Sequence, residues 1–415
     1  MPTSLNLFSA FPVRRPGAGL LLVLTGAFVQ ACAVAPTTQN FPHDIAREIR
    51  PGVLHREILD ERGPWRIQVL EIDLRHPDLV LETARARDSA FGRETTSGIA
   101  ARQRSRGDHV LAALNADFFD MQTGEAINNQ MARGVVTRAL LPALDDRGEY
   151  RGVRSQIGFL ANGRPVLGKL VFDGRVLWNN GTAHRIGAVN VVRARTDLVL
   201  FNGFIGRQTP PDTLDRNVVE LVLRTVRSAG DTAVAVVLAG GRGRSPIPSD
   251  GFVLASLRRP MLFDSAGVAP GDTVRVLFGF PPSPPGLRAL AGGLPQLIRA
   301  GTPLLDTPEG LEGAGKEFAT KRHPRTGIGF SRDSTMVKFV VVDGRQSQSV
   351  GMTLREFSEL MLSLGLHHAL NLDGGGSTTM VVGDRVVNSP SDASGERPVA
   401  NAILLLERPT AGVGK

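Results

Sequence analysis

Ala369-Leu370-Asn371-Leu372-Asp373-Gly374-Gly375-Gly376-Ser377-Thr378-Thr379-Met380 is the stretch on which the reading of this 415-residue chain turns. Leu370 and Leu372 alternate with Asn371 and Asp373. That is the period-2 pattern of a strand with one face in an apolar core and polar groups on the other. Three glycines follow. They let a backbone approach a ligand without Cβ obstruction, and they can aim successive N–H groups at an anion. Ser377 and Thr378 add hydroxyls. The pattern G-x-x-x-x-G-K-[ST] is absent and no lysine is near, so this is neither a P-loop nor a dinucleotide fingerprint.

Three more polar clusters stand at the ends of apolar runs. The Val110–Leu114 run reads as a buried strand delivering Asn115-Ala116-Asp117-Phe118-Phe119. Asn115 and Asp117 are two apart and share a side in extended chain. In Arg322-His323-Pro324-Arg325-Thr326, Pro324 pushes His323 to extended geometry. His323 and Arg325 then form a cationic pair suited to an anion. Val340-Val341-Val342-Asp343-Gly344-Arg345 ends an apolar run in a carboxylate, a glycine and a guanidinium. Turn chemistry or a solvated basic loop accounts for each of these clusters taken alone. Asn388-Ser389-Pro390-Ser391-Asp392 and Glu396-Arg397-Pro398 read as turns.

The rest of the pattern predicts an α+β fold of mixed, largely antiparallel sheets with hairpins and a few packed helices. Ile67, Val69 and then Ile72, Leu74 alternate, with a slip at Leu70 that marks a bulge. Asn162-Gly163 and Asp173-Gly174 sit between apolar runs and suit two-residue β-turns. Residues 306–322 read as one long loop. Thr96–Arg106 reads as a weak helix. Leu354–Leu364 is the clearest helix. Thr353 and Glu356 make its capping box, and Gly365 stands where a C-cap belongs.

Residues 1–31 differ from the remainder. Arg14 and Arg15 precede a short apolar stretch that ends in Val29-Gln30-Ala31-Cys32. This resembles a lipoprotein-type signal peptide, in which Cys32 becomes the lipidated first residue. Residues 32–50 read as a linker, 51–107 as an N-terminal β-rich region, 108–408 as the main domain and 409–415 as a tail. The expected location is the bacterial cell envelope, with the membrane touched only through a lipid anchor at Cys32. A single cysteine excludes a disulfide scaffold and Cys-ligated zinc. The formal net charge is +8, from 48 basic and 40 acidic residues. No run of five basic residues occurs and aromatics are sparse, so nucleic acid is not an expected partner.

Five segments, in order, resemble the phosphodiester glycosidase domain family. They are Arg322–Gly329, Val342–Arg345, Ser349–Leu354, Asn371–Thr378 and Gly395–Asn401. Asn115–Phe119 is similar to the family's Asn-Gly-Gly-Phe-Phe-type motif, with Ala116-Asp117 where many members have two glycines or Ala-Gly. The resemblance implies a hydrolase that cleaves the glycosidic bond of a sugar-1-phosphodiester, releasing sugar and a phosphomonoester. The expected partner is a phosphodiester-linked sugar or glycan. Asp373 is the first choice for nucleophile or general base, and Asp343 the second. Substrate contacts are expected from Asn115, Asp117, His323, Arg325, Arg345, Asn371, Gly374, Gly375, Gly376, Ser377, Thr378, Glu396 and Arg397. The sequence requires no cofactor. Asp117, Asp343, Asp373 and Glu396 offer oxygens to Ca²⁺ or Mg²⁺. Two other functions fit the same residues: a non-catalytic binder of anionic polysaccharide, and a phosphodiesterase that cuts P–O.

Overall fold

The computed structural model describes residues 43–408 apart from 145–150, 193, 195, 212–217, 258, 260, 261 and 309. The signal 1–31, Cys32, residues 33–42 and the tail lie outside the described residues. Those described belong to one compact unit, and their strands form sheets of eight, thirteen and five strands.

The eight-stranded sheet runs His43–Arg50, Val53–Asp60, Trp65–Asp73, Met336–Val342, Arg325–Phe330, His368–Asn371, Gln296–Arg299, Thr302–Pro303. Every adjacent pair is antiparallel. The end of the stretch read as linker is thus a paired edge strand. The five-stranded sheet runs Arg385–Val386, Met380–Val382, His109–Asn115, Asn401–Glu407, Leu79–Arg85, also antiparallel. These two sheets pack face to face through Leu70, Ile72, Phe339, Val341, Leu114 and Leu405. The outer face of the larger one buries Ile67, Val69, Val340 and Val342 beneath the helix Leu354–Ser363. The outer face of the smaller one lies under the helix Thr96–Ser105, which inserts Ile99 and Ala100. The result is a four-layer helix–sheet–sheet–helix sandwich. Its central strands read as unbroken apolar runs because both of their faces are covered.

The Leu354–Ser363 helix forms as its sequence dictates. Thr353 accepts from Glu356 N, Glu356 answers at Thr353 N, and Gly365 takes φ +79. Phe357 and Met361 are fully buried, each worth roughly 1.5–3 kcal/mol of apolar burial.

Three local expectations are corrected. Trp65–Asp73 pairs regularly with both neighbours, with no bulge at Leu70. Leu70 begins the run facing the second sheet, while Ile67 and Val69 face the helix. Asp173-Gly174 is no turn, since it opens the strand Asp173–Leu177, paired on both sides. A Cβ on Gly174 would lie 2.5 Å from the Phe172 ring, so close packing explains the glycine. The 306–322 stretch contains a short helix, Lys316–Thr320. The strand into Asn115 and a hairpin at Asn162-Gly163 form as expected, but Gly163 N bonds Leu160 O, so the turn centres on Ala161-Asn162 and only Gly163 takes positive φ.

Candidate active site

Register brings the polar strand ends to one end of the sandwich. Arg325 pairs with Val342, next to Asp343, and Gly327 pairs with Asn371. In the facing sheet Asn115 pairs with Ala402, and Met380 with Leu114. The loop 373–379 bridges the two sheets between these ends. Asn115, fully buried, fastens it. Its Nδ2 donates to Asp373 O at 2.6 Å, and its Oδ1 accepts from Thr379 N and from Thr326 Oγ1.

The glycines serve close approach. Asp373 N donates to Ala116 O, Gly375 N to Pro324 O, Ser377 N to Gly374 O and Thr378 N to Gly375 O. Those four N–H groups, Gly375's among them, are therefore satisfied inside the protein. A Cβ on Gly374 would lie 2.7 Å from Pro324 O, and one on Gly376 would lie 2.2 Å from Arg397 Nη2 and Asp392 Oδ1. Gly375 takes φ +62 beneath the Arg345 guanidinium, where a Cβ would meet Nη2 at 3.1 Å.

Arg345 is exposed and itself takes φ +61, a backbone state that costs a non-glycine residue about 1–3 kcal/mol. Its Nη2 lies 3.3 Å from His323 Nδ1. Burial, then Arg325, Arg345 and Lys321, hold the His323 imidazole below its ordinary range. Arg325 is placed differently. It is 1% exposed, and its guanidinium donates to Met352 O, Phe318 O and Lys321 O while lying over the Phe318 ring. It does not share a face with His323.

Asp373 is half-buried. Burial pushes its carboxyl up to about 7; Ser377, Arg397 and the Gly374 N–H oppose this, and Asp117 adds to it. Ser377 Oγ is buried and finds no partner of ordinary hydrogen-bond geometry. Asp343, 3% exposed, accepts from Asn388 Nδ2 and Ser389 N. Burial pushes it up to about 6. Asp117 is encased by Asn128 and Gln130. Arg397 forks onto Asp392. Glu396 points to the Thr96–Ser105 helix, accepting from Ser97 N and Ser97 Oγ. Asn371 donates to Leu294 O and Leu372 O, and its Oδ1 is buried without a partner. Thr378 Oγ1 meets Thr326 Oγ1.

The loop thus brings together Asp373, Gly374–Thr378, Arg345, His323 and Arg397. Arg325 and Glu396 lie in their own networks. Asn128, Gln130, Asn388 and Asn401 were missed, although Asn388 and Asn401 fall in segments noticed for other reasons. Among the described residues no three of His, Cys, Asp and Glu gather as a metal-binding group. A cavity of about 500 Å³ opens elsewhere, lined by Val135, Phe204, Phe252 and Phe278, and shares no lining residue with this loop.

Fold and loop together define a β-sandwich protein with a carboxyl on a glycine-rich strand connection and a guanidinium from a neighbouring loop lying over it. Residues 230–406 match the family model for phosphodiester glycosidase. Human N-acetylglucosamine-1-phosphodiester alpha-N-acetylglucosaminidase is 34% identical over 110 residues, covering 25% of this chain and 21% of that protein. An SPbeta prophage-derived uncharacterized protein of Bacillus subtilis is 39% identical over 84 residues, covering 20% and 13%. The chain therefore spans about a fifth or less of these curated relatives. Among solved structures, a hypothetical protein from Synechocystis shares the fold. Its TM-score is 0.66 at 22% identity, over 88% of this chain and 64% of that one. A Burkholderia pseudomallei protein described as exported gives TM-score 0.60 at 25% identity, over 83% and 74%.

Proposed function

We propose that this protein is a phosphodiester glycosidase. It hydrolyses sugar–O–PO₂–O–R with water to free sugar and a phosphomonoester, breaking the sugar C1–O bond. The observation that carries this reading is the Arg345 guanidinium over Gly375, two residues from Asp373. A phosphate oxygen held by Arg345 would lie beside the glycine loop, with C1 toward the Asp373 carboxyl. The family match over 230–406 supports the same class.

The leaving group is a phosphate, already a weak base, so protonating it matters less than in an ordinary glycoside. Charge placement matters more. Arg345, with His323 beside it, binds the phosphodiester, and Arg397 adds positive potential at Asp373. The Asp373 carboxylate is the nucleophile or general base. Asp343, fixed by Asn388 and Ser389, is the second carboxyl. Ser377 Oγ, buried beside the Asp373 carboxyl, orients that carboxyl, and Asn371 Oδ1 is a buried acceptor open to a water. Substrates are envelope or extracellular glycans, reached by an exported, lipid-anchored protein; that part rests on the 1–32 sequence. No described helix is long and apolar enough to cross a membrane, which says nothing of a β-barrel.

The test is turnover of a panel of sugar-1-phosphodiesters, followed by released reducing sugar. Wild type should release it and folded Asp373→Asn should not. Binding without release would favour the glycan-binding alternative.

A further inference from the structure

A second carboxyl stands behind Asp373. The strand His109–Asn115 leads directly into Ala116-Asp117. Ala116 O accepts the Asp373 N–H at 2.8 Å, and Asn115 Nδ2 donates to Asp373 O. These two bonds clamp the Asp373 backbone on both its polar groups. Asp117 is the next residue and is 1% exposed.

Every contact of the Asp117 carboxyl is a donor. Asn128 N lies at 3.1 Å, Asn128 Nδ2 at 2.7 Å and Gln130 Nε2 at 2.8 Å. The amide orientations are fixed by a closed ring. Asn401 Nδ2 donates to Gln130 Oε1, and Asn401 Oδ1 accepts from Asp117 N at 2.9 Å. Three donors and no acceptor suit a carboxylate and leave a carboxylic O–H unpaired. No described cation forms an ion pair with it. Arg138 is held by Glu125 and by the carbonyls of Ile127 and Asn128, and Arg85 by those of Ser89, Ala90 and Gly124.

We propose that Asp117 is a positioning residue that acts through Asp373, presenting it with a fixed negative charge from behind the strand end. The proposal rests on Asp373 being the reacting carboxyl. In a poorly solvated setting a like charge disfavours ionisation. Asp117 therefore works with burial to hold a proton on Asp373, against Ser377, Arg397 and the Gly374 N–H; Arg397 is itself ion-paired with Asp392, and Arg345 and His323 stand on the other side of the loop. Burial pushes the Asp117 carboxyl up, while the Asn128 and Gln130 donors and Arg138 oppose this and favour its charged form; Arg85 also faces it, with Glu125 beside Arg85. The carboxylate never touches substrate, because its oxygens are enclosed by amides. It adds to burial in raising the pH at which Asp373 becomes a base.

The experiment is the pH dependence of kcat/KM for wild type and Asp117→Asn. The limb set by Asp373 should move to lower pH in the variant. A purely structural role would lower the plateau and the melting temperature and leave the limb in place, which overturns the proposal. Carboxyl-carbon NMR of Asp-labelled protein serves if that variant fails to fold, and it needs no substrate. Asp373, assigned by its loss in Asp373→Asn, should titrate above the ordinary carboxylate range. A second Asp carbon should shift at the same midpoint, and that companion shift should vanish in Asp373→Asn. Asp373 titrating with no companion contradicts the coupling, whatever the enzyme's substrate proves to be.

Discussion

Arg345 Nη2 reaches His323 Nδ1 at 3.3 Å, and one of the two must therefore accept. Guanidinium has no acceptor, so the imidazole Nδ1 is unprotonated. This leaves Arg345 as the charge that an incoming phosphodiester meets. A charge-assisted hydrogen bond contributes about 1.5–3 kcal/mol. Arg345→Ala should raise KM roughly 10- to 100-fold by that magnitude, with a smaller fall in kcat. Because Arg345 is exposed, its melting temperature should stay near wild type. Steady-state kinetics checks both; an unchanged KM removes Arg345 from the phosphate site.

Asp373 and Asp343 are pushed up to about 7 and about 6. Activity that needs the Asp373 carboxylate should rise with pH through an acid limb near 7. The stability consequence has the opposite sense. The folded-state value lies above the unfolded one, so protonated Asp373 is the form the fold favours. Stability is fully present below about 4 and is lost as pH rises through about 7. Asp373→Asn should therefore melt several degrees above wild type at pH 8, with the difference shrinking at pH 4. Calorimetry at the two pH values decides it.

Asn115 uses both ends of its amide inside the protein, on Asp373 O, Thr379 N and Thr326 Oγ1. Asn115→Ala leaves buried partners unpaired, at about 1–3 kcal/mol each. Thr326 Oγ1 keeps Thr378 Oγ1 as a partner, so the other two predict a loss of about 2–6 kcal/mol in urea unfolding on that scale, together with a fall in kcat as the loop loosens. A variant of wild-type stability would show that water replaces the amide and that the clamp is weak.

The glycines of the loop should differ in tolerance. Gly374→Ala would drive a Cβ to 2.7 Å from the Pro324 backbone oxygen, which moves only with its strand. Gly376→Ala meets the tips of Arg397 and Asp392, which can swing away. Soluble yield and melting temperature should therefore rank wild type, then Gly376→Ala, then Gly374→Ala. The reverse ranking would contradict the packing described for Gly374.

The loop at Asp373 was legible because polar residues interrupt apolar alternation there, and local pattern records that interruption. Sheet order was not legible, since Trp65–Asp73 pairs with Met336–Val342 more than 260 residues away. Arg325 read as a free cation beside His323. Its strand is covered on both faces, so the guanidinium turns inward to backbone carbonyls, and charge alone gives no hint of that. Asp117 was noticed as a carboxylate, but Asn128, Gln130 and Asn401, isolated amides without spacing, carry no pattern that announces a cage.

Hydrolysis of a sugar-1-phosphodiester in ¹⁸O-labelled water tests the central claim most directly. Water attacking C1, with Asp373 as base or through a glycosyl intermediate, puts the label on the released sugar and none in the phosphomonoester. Label recovered in the phosphomonoester instead would mean the P–O bond is cut, and the glycosidase assignment would fail.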